Sequence, residues 1–186
     1  MILTDREIQI ALQKGLITIN PAPKLDEAFS STSVDLRLGE HLILFRDTKP
    51  YLGNNAIDPT HPSYDYATAL SEISDRQSIP VDGFNLNPGK LILGWTVEEI
   101  DLPITSRVAA RVEGKSSLAR LGLCVHMTAP TIHAGFQGYI QLEIVNQGPR
   151  PITLKAGMRI CQLIFETTLG TPSKGYDGQF IGQAAV

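Results

Sequence analysis

Tyr139-Ile140-Gln141-Leu142-Glu143-Ile144-Val145 is the stretch on which the fold turns. Apolar and polar residues alternate along it with the period of a β-strand, whose successive side chains leave on opposite faces. Ile140, Leu142 and Ile144 take the core face, and Tyr139, Gln141, Glu143 and Val145 take the other. Gly135 and Gly138 mark a turn before this strand, and Asn146-Gln147-Gly148-Pro149 marks one after it.

Further strands lie on both sides. Downstream, Ala156-Gly157 signals a turn and Arg159 to Phe165 forms another strand. Upstream, Arg107 to Val112 reads as a strand with Val108, Ala110 and Val112 on one face, and Leu91 to Val97 follows the turn Asn87-Pro88-Gly89. Nearer the N-terminus, Val34, Leu36 and Leu38 alternate with Asp35 and Arg37, and His41 to Phe45 is a second short apolar run. One helix precedes them. Thr4 and Glu7 have capping-box spacing, Ile8, Ala11 and Leu12 share a face, and Gly15 is placed to end it. Residues 46–85, rich in Pro, Asp, Asn, Ser and Gly, read as a long connection with little regular structure. Many short strands, one early helix and no βαβ rhythm predict a mainly β fold: a sandwich, jelly roll or distorted barrel.

Composition narrows the class. A chain of 186 residues that is 42% hydrophobic can bury one sizeable core, so residues 1–186 are expected to form a single domain. A net charge of −3 argues against non-specific nucleic-acid binding, although a few clustered cations would still serve a small polyanion. Cys124 and Cys161 lack metal-ligand spacing and read as reduced thiols. No stretch approaches the about 20 apolar residues of a membrane span, and MILTDREIQ is unlike a signal peptide. A cytoplasmic, membrane-free protein is expected.

Three groups of residues can carry chemistry. Gly114-Lys115-Ser116-Ser117-Leu118-Ala119-Arg120-Leu121-Gly122 follows a strand and opens a short helix. Its hydroxyls, free amides and two cations make an anion site, although the same residues also suit an ordinary capped helix. It is not a Walker A loop, because the first glycine of that pattern falls on Ala109. Glu143, in the middle of an apolar strand, either faces solvent or sits in a pocket; there, desolvation would raise its pKa toward that of a useful general base. His126 and His133 suit a structural or a catalytic role, and Met127 and Met158 read as core. The zinc route to base deamination needs His-x-Glu and Pro-Cys-x-x-Cys, and the chain has no Cys-x-x-Cys.

GKSSLARLG at 114–122, VHMTAPTIHAGFQGYIQLEI at 125–144 and RICQLIFE at 159–166 resemble the dCTP deaminases of the trimeric dUTPase superfamily. The resemblance runs from Leu3-Thr4-Asp5-Arg6-Glu7-Ile8 through Ser33-Val34-Asp35-Leu36-Arg37-Leu38 to Tyr176-Asp177-Gly178-Gln179. It implies a distorted jelly roll in a homotrimer whose active sites are shared between subunits. It further implies hydrolytic deamination of dCTP to dUTP for dTMP synthesis, with Mg2+ carried by the triphosphate rather than by protein ligands, and no zinc.

Carried over by position, Glu143 is the general base, with Arg120 and Ser116 as catalytic partners. Lys115, Ser116 and Ser117 contact the phosphates, and Leu118, Ala119 and Arg120 complete that turn. Thr128 and Ala129 position the water and the cytosine amino group. Gln141 and Leu142 lie beside the deoxynucleoside, and Gln162, Tyr176 and Gln179 are further contacts, with Gln183 a rival to Gln179. Residues 170–186 are expected to form a C-terminal lid. The chain departs from the pattern at His133, where much of the superfamily carries an aspartate. It also lacks a lysine directly before Tyr176, where Lys174 is the nearest substitute. The rival readings are a dUTP diphosphatase, a bifunctional deaminase–diphosphatase and a non-catalytic nucleotide-binding trimer.

Overall fold

In the computed structural model, which describes residues 1–46, 56–176 and 178, the chain begins with α1 (Asp5–Gln13). This helix buries Ile8 and Ala11, and Gly15 follows it with φ +64°, the left-handed conformation that ends helices. The reciprocal capping box does not form, because the Thr4 hydroxyl bonds the Glu7 carboxylate instead of a backbone amide.

Then come β1 (Thr18–Asn20), the single turn α2 (Leu25–Ala28) and β2 (Phe29–Ser30). The two runs near residues 34–45 form one strand, β3 (Ser33–Phe45). It is continuous because it passes between two halves of the sheet. A register shift lies between Leu38, opposite Thr96, and Leu42, opposite Gly94. Gly39 lies in that irregularity, where an added Cβ would come within 3.1 Å of the Trp95 carbonyl oxygen.

The expected irregular connection at 46–85 is only partly so. It contains the two-turn helix α3 (Tyr66–Ile73) and the strand β4 (Ser74–Ser78), which pairs with β3. Asp65 caps α3 by accepting from the Thr68 amide at 2.8 Å. β4 escapes a periodicity reading because Ser-Asp-Arg-Gln-Ser is an edge strand, largely exposed, with no alternation to detect.

The remaining elements are β5 (Phe84–Leu86), β6 (Leu91–Asp101), a 3-10 turn (Ile104–Ser106), β7 (Val108–Gly114), α4 (Ser116–Ala119), β8 (Leu123–Cys124), β9 (Thr131–Ile132), β10 (Gln137–Asn146), β11 (Ile152–Leu154) and β12 (Arg159–Thr167). β7 starts one residue late because Arg107 adopts φ +57°, which no strand accommodates. The main sheet runs β8-β10-β6-β3-β12-β7-β9 with every pair antiparallel, and β5 with β11 forms a separate ribbon. The result is a mainly β fold whose sheet curls around its core, with one short N-terminal helix, as the alternation predicts.

Core residues come from every long strand: Leu36 and Leu42 of β3, Ile100 of β6, Leu142 and Ile144 of β10, and Phe165 of β12, all 1% exposed or less. Each such side chain stabilises the fold by about 1.5–3 kcal/mol. Asn146, fully buried at the end of β10, donates to the Leu86 and Arg150 carbonyls and accepts from the Gly148 amide. It thereby fixes the point where the strand carrying Glu143 stops.

Candidate active site

Strict alternation along β10 buries Gly138, Ile140, Leu142, Ile144 and Asn146 and leaves Tyr139, Gln141, Glu143 and Val145 on the opposite face. On the neighbouring strand, Leu93 stands opposite Glu143 and Trp95 opposite Gln141. That face is only partly open to solvent. Helix α3 lies across it, with Tyr66, Ala69 and Leu70 enclosing a cleft of about 580 Å³. Glu143, Gln141 and Tyr139 line its floor, His126 and Ala129 one wall, and His133, Phe136 and Tyr176 another. Of the two environments open to a carboxylate on this strand, Glu143 has the pocket.

Local contacts hold the cleft in shape. The Met127 amide donates to Glu143 Oε2 at 3.3 Å. The segment that brings it there is anchored by buried Val125, by the Cys124 thiol donating to the His126 carbonyl, and by the Val112 amide donating to the Pro130 carbonyl. Met127 itself is 56% exposed, contrary to its reading as a core residue: the site uses its backbone, which leaves the side chain outside. The Tyr66 hydroxyl donates to Gln141 Oε1 at 3.3 Å. Burial, and then the nearby Glu143 carboxylate, push the Tyr66 phenol above its ordinary range, so it remains a donor at neutral pH. Tyr176 stacks on His133 with ring centroids 5.7 Å apart and also meets Phe136, and its amide donates to the Ala134 carbonyl.

A second cluster surrounds the turn into α4. Ser116 and Ser117 are exposed on the first turn, and Lys115 precedes them. The Lys115 ammonium donates to Asp35 Oδ2 at 2.5 Å. Asp35 is only 6% exposed, its Oδ1 has no hydrogen-bond partner among the described residues, and Arg159 Nη1 lies 3.7 Å from its Oδ2. Gln162 ties this region together by accepting from the Ser33 hydroxyl at 2.7 Å and donating to the Gly114 carbonyl at 3.1 Å. The alternation of Asp35 with Val34 and Leu36 does not anticipate its burial, which comes with Lys115, 80 positions later, folded over it.

One chain therefore gathers the expected site residues in two places. Glu143, Gln141, Leu142, Ala129 and Tyr176 line the cleft. Lys115, Ser116, Ser117, Leu118, Ala119, Arg120 and Gln162 belong to the α4 region and do not line it. Thr128 is exposed beside the cleft, and Arg120, at the end of α4, forms no ion pair among the described residues. Gln179 and Gln183 lie outside the described residues. Tyr66 and Leu70 were missed by sequence reasoning. Their signal was the pair Asp65 and Thr68 at helix-cap spacing, followed by apolar residues at 66, 70 and 73.

Among the described residues, no three His, Cys, Asp or Glu side chains are grouped to hold a metal ion. The cleft can thus offer a carboxylate general base, an amide and a phenol, while the α4 turn offers cations, hydroxyls and helix amides. The first set suits proton transfer, and the second suits an anion.

Comparison with known proteins bears on both. The family model described as dCTP deaminase-like matches residues 2–168. A protein of Shewanella amazonensis named dCTP deaminase is 44% identical over 95% of this chain and 89% of its own length. One of Methanosphaera stadtmanae named dCTP deaminase, dUMP-forming, is 39% identical over 98% of this chain and 89% of its own length. Among solved structures, the 2'-deoxycytidine 5'-triphosphate deaminase of Agrobacterium tumefaciens shares the fold, with a TM-score of 0.66 and 24% identity. The match covers 89% of this chain and 48% of that one.

Proposed function

This chain belongs to the dCTP deaminase-like family, and we propose that Glu143 is the group that activates water in its hydrolytic deamination of dCTP. The chain is an enzyme, and dCTP is its substrate. The observation that carries the assignment of Glu143 is its position: a carboxylate held by the Met127 amide on the floor of a half-open, largely apolar cleft.

The chemistry follows from that placement. The Glu143 carboxylate takes a proton from water, and the hydroxide adds to C4 of cytosine while the C4–N3 π pair moves onto N3. N3 then takes the proton from Glu143. The regenerated carboxylate removes the new hydroxyl proton as the C4–N4 bond breaks and delivers it to the departing nitrogen. Water and dCTP become dUTP and ammonia. General acid–base catalysis of this kind is worth about 10²–10⁴-fold, and positioning supplies the rest.

The phosphates need a second set of groups, and the α4 turn has them. Lys115, Ser116 and Ser117, with Arg120, Gln162 and the backbone of Leu118 and Ala119, form that cradle. Because cradle and cleft lie apart in one chain, the complete site joins the Glu143 cleft of one subunit to the α4 turn of another in a homotrimer. Within that site Arg120 and Ser116 act beside Glu143, and Thr128 and Ala129 place the water. Mg2+ arrives with the triphosphate. Tyr176, in the wall of the cleft, packs beside the nucleotide and helps exclude water. No described helix is long and apolar enough to cross a bilayer.

The test is a product assay with dCTP and Mg2+. Ammonia and dUTP are expected from the parent chain, and Glu143→Gln should bind dCTP while releasing no ammonia. Near-normal turnover by Glu143→Gln would overturn the role of Glu143, and dUMP with pyrophosphate would overturn the product.

A further inference from the structure

We propose that Tyr66 is a positioning residue and Gln141 a catalytic one: Tyr66 holds the Gln141 carboxamide by its oxygen, so that Nε2 donates to O2 of the cytosine ring in the transition state. The proposal rests on the reading of Glu143 as the base. Three observations lead to it.

Gln141 and Glu143 occupy the same face of β10, two residues apart, which separates them by about 6.6 Å along the strand. Both line the cleft. With Glu143 beside C4 and N3, the next hydrogen-bond acceptor of the base along that edge is the exocyclic O2.

The carboxamide has a preferred orientation. Its Oε1 accepts from the Tyr66 hydroxyl at 3.3 Å, while Nε2 has no partner among the described residues. Tyr66 is pinned at the first turn of α3, which Asp65 caps and which packs through Leu70 against Ile43, Leu93 and Trp95. A second donor, the buried indole N–H of Trp95, which has no partner among the described residues, stands opposite Gln141 in the β6–β10 register. A carboxamide whose oxygen is held by a donor presents its N–H groups elsewhere. Tyr66 remains that donor because burial and the neighbouring Glu143 keep the phenol protonated.

The chemistry asks for a donor at this atom. When hydroxide adds to C4, the electron pair that reaches N3 is shared through C2 with O2, which becomes more negative than in the ground state. A fixed N–H at O2 stabilises that charge more in the transition state than in bound dCTP, which raises kcat rather than lowering KM. Tyr66 touches no reacting atom and acts through Gln141.

The test uses Gln141→Leu, Tyr66→Phe and the double variant of the full chain, with dCTP and its 2-thio analogue, whose sulfur is a poor acceptor. Gln141→Leu should lower kcat about 10²-fold with KM changed by less than about threefold. Tyr66→Phe should lower kcat about tenfold, and the double variant should be no slower than Gln141→Leu, because one residue works through the other. The 2-thio substrate should be slow with the parent chain and lose its disadvantage in Gln141→Leu. Full kcat in Gln141→Leu, a double variant as slow as the product of the singles, or an undiminished 2-thio penalty would each overturn the inference. These outcomes are separable from failure of the underlying reading: if Glu143→Gln is inactive while Gln141→Leu turns over normally, only the inference falls. If Glu143→Gln turns over, the assignment of the base falls as well.

Discussion

Replacing Lys115 with methionine should destabilise the protein through a carboxylate on another strand. Methionine keeps most of the apolar stem and removes only the charge. The ammonium lost is the one 2.5 Å from Asp35 Oδ2, and Asp35 is 6% exposed with its second oxygen already lacking a partner. Removing one member of a buried ion pair ordinarily costs about 3–5 kcal/mol, because the survivor keeps the desolvation penalty without its compensation. Two features reduce the figure here: the Lys115 side chain is 25% exposed, and Arg159, although 52% exposed, stays 3.7 Å from the same oxygen. A loss of about 2–3 kcal/mol is expected, or roughly 5–10 °C in Tm for a chain of this size. Urea denaturation of the parent, Lys115→Met and Lys115→Met/Asp35→Asn separates the causes. The double variant should regain most of the lost stability, since no buried charge remains, while its KM for dCTP stays raised because the phosphate contact is still missing. A loss below about 0.5 kcal/mol in the single variant, or no recovery in the double, would refute the electrostatic account.

Other outcomes follow from the same structure. The Asp65 carboxyl is held below the ordinary carboxylate range by the Thr68 side chain and then the Thr68 amide, so its contribution to α3 is complete above the unfolded value near pH ~3.9 and is lost as pH falls through the lower folded value. Emission from Trp95, the one tryptophan, which packs with Leu70 of α3, should report that loosening in acid; Asp65→Asn should blunt it, and identical titrations would contradict it. Gly122→Ala places a Cβ 2.2 Å from the Gly148 amide nitrogen at φ +98°, and with backbone rather than a side chain in the way it should cost about 2–5 kcal/mol in chemical denaturation. Cys161 is buried, and burial followed by the Glu98 and Asp35 charges pushes its thiol far above the usual range; iodoacetamide mapped by mass spectrometry should modify Cys124 in the folded protein and Cys161 only after unfolding.

Much of this architecture was legible before any coordinates. Period-two alternation locates β7 and β10, and apolar runs between turn signals locate β6 and β12; the errors lie at the ends, where β6 continues four residues past Val97 because β1 and β10 pair with it as far as Asp101. Alternation also put Glu143 on the same face as Gln141. It could not say whether that face meets water or a cover, because the cover is α3, some 70 residues earlier, inside a stretch whose Pro, Asp and Asn content suggests only loop. Asp35 illustrates the same limit. Local pattern shows only its alternation with Val34 and Leu36, and it is the closed sheet, with β12 joining β3 to β7, that brings Lys115 across to bury it.

The pleat of β10 makes catalysis and solubility hostage to a single count of residues. Because neighbouring side chains leave in opposite directions, sliding this strand one position against β6 would send Glu143 inward among leucines and isoleucines and turn Leu142 out toward the nucleotide. That parity is held by the pairing of β10 with β6 and β8 and not by the turn at Gly135–Gly138, because β9 before that turn pairs with β7.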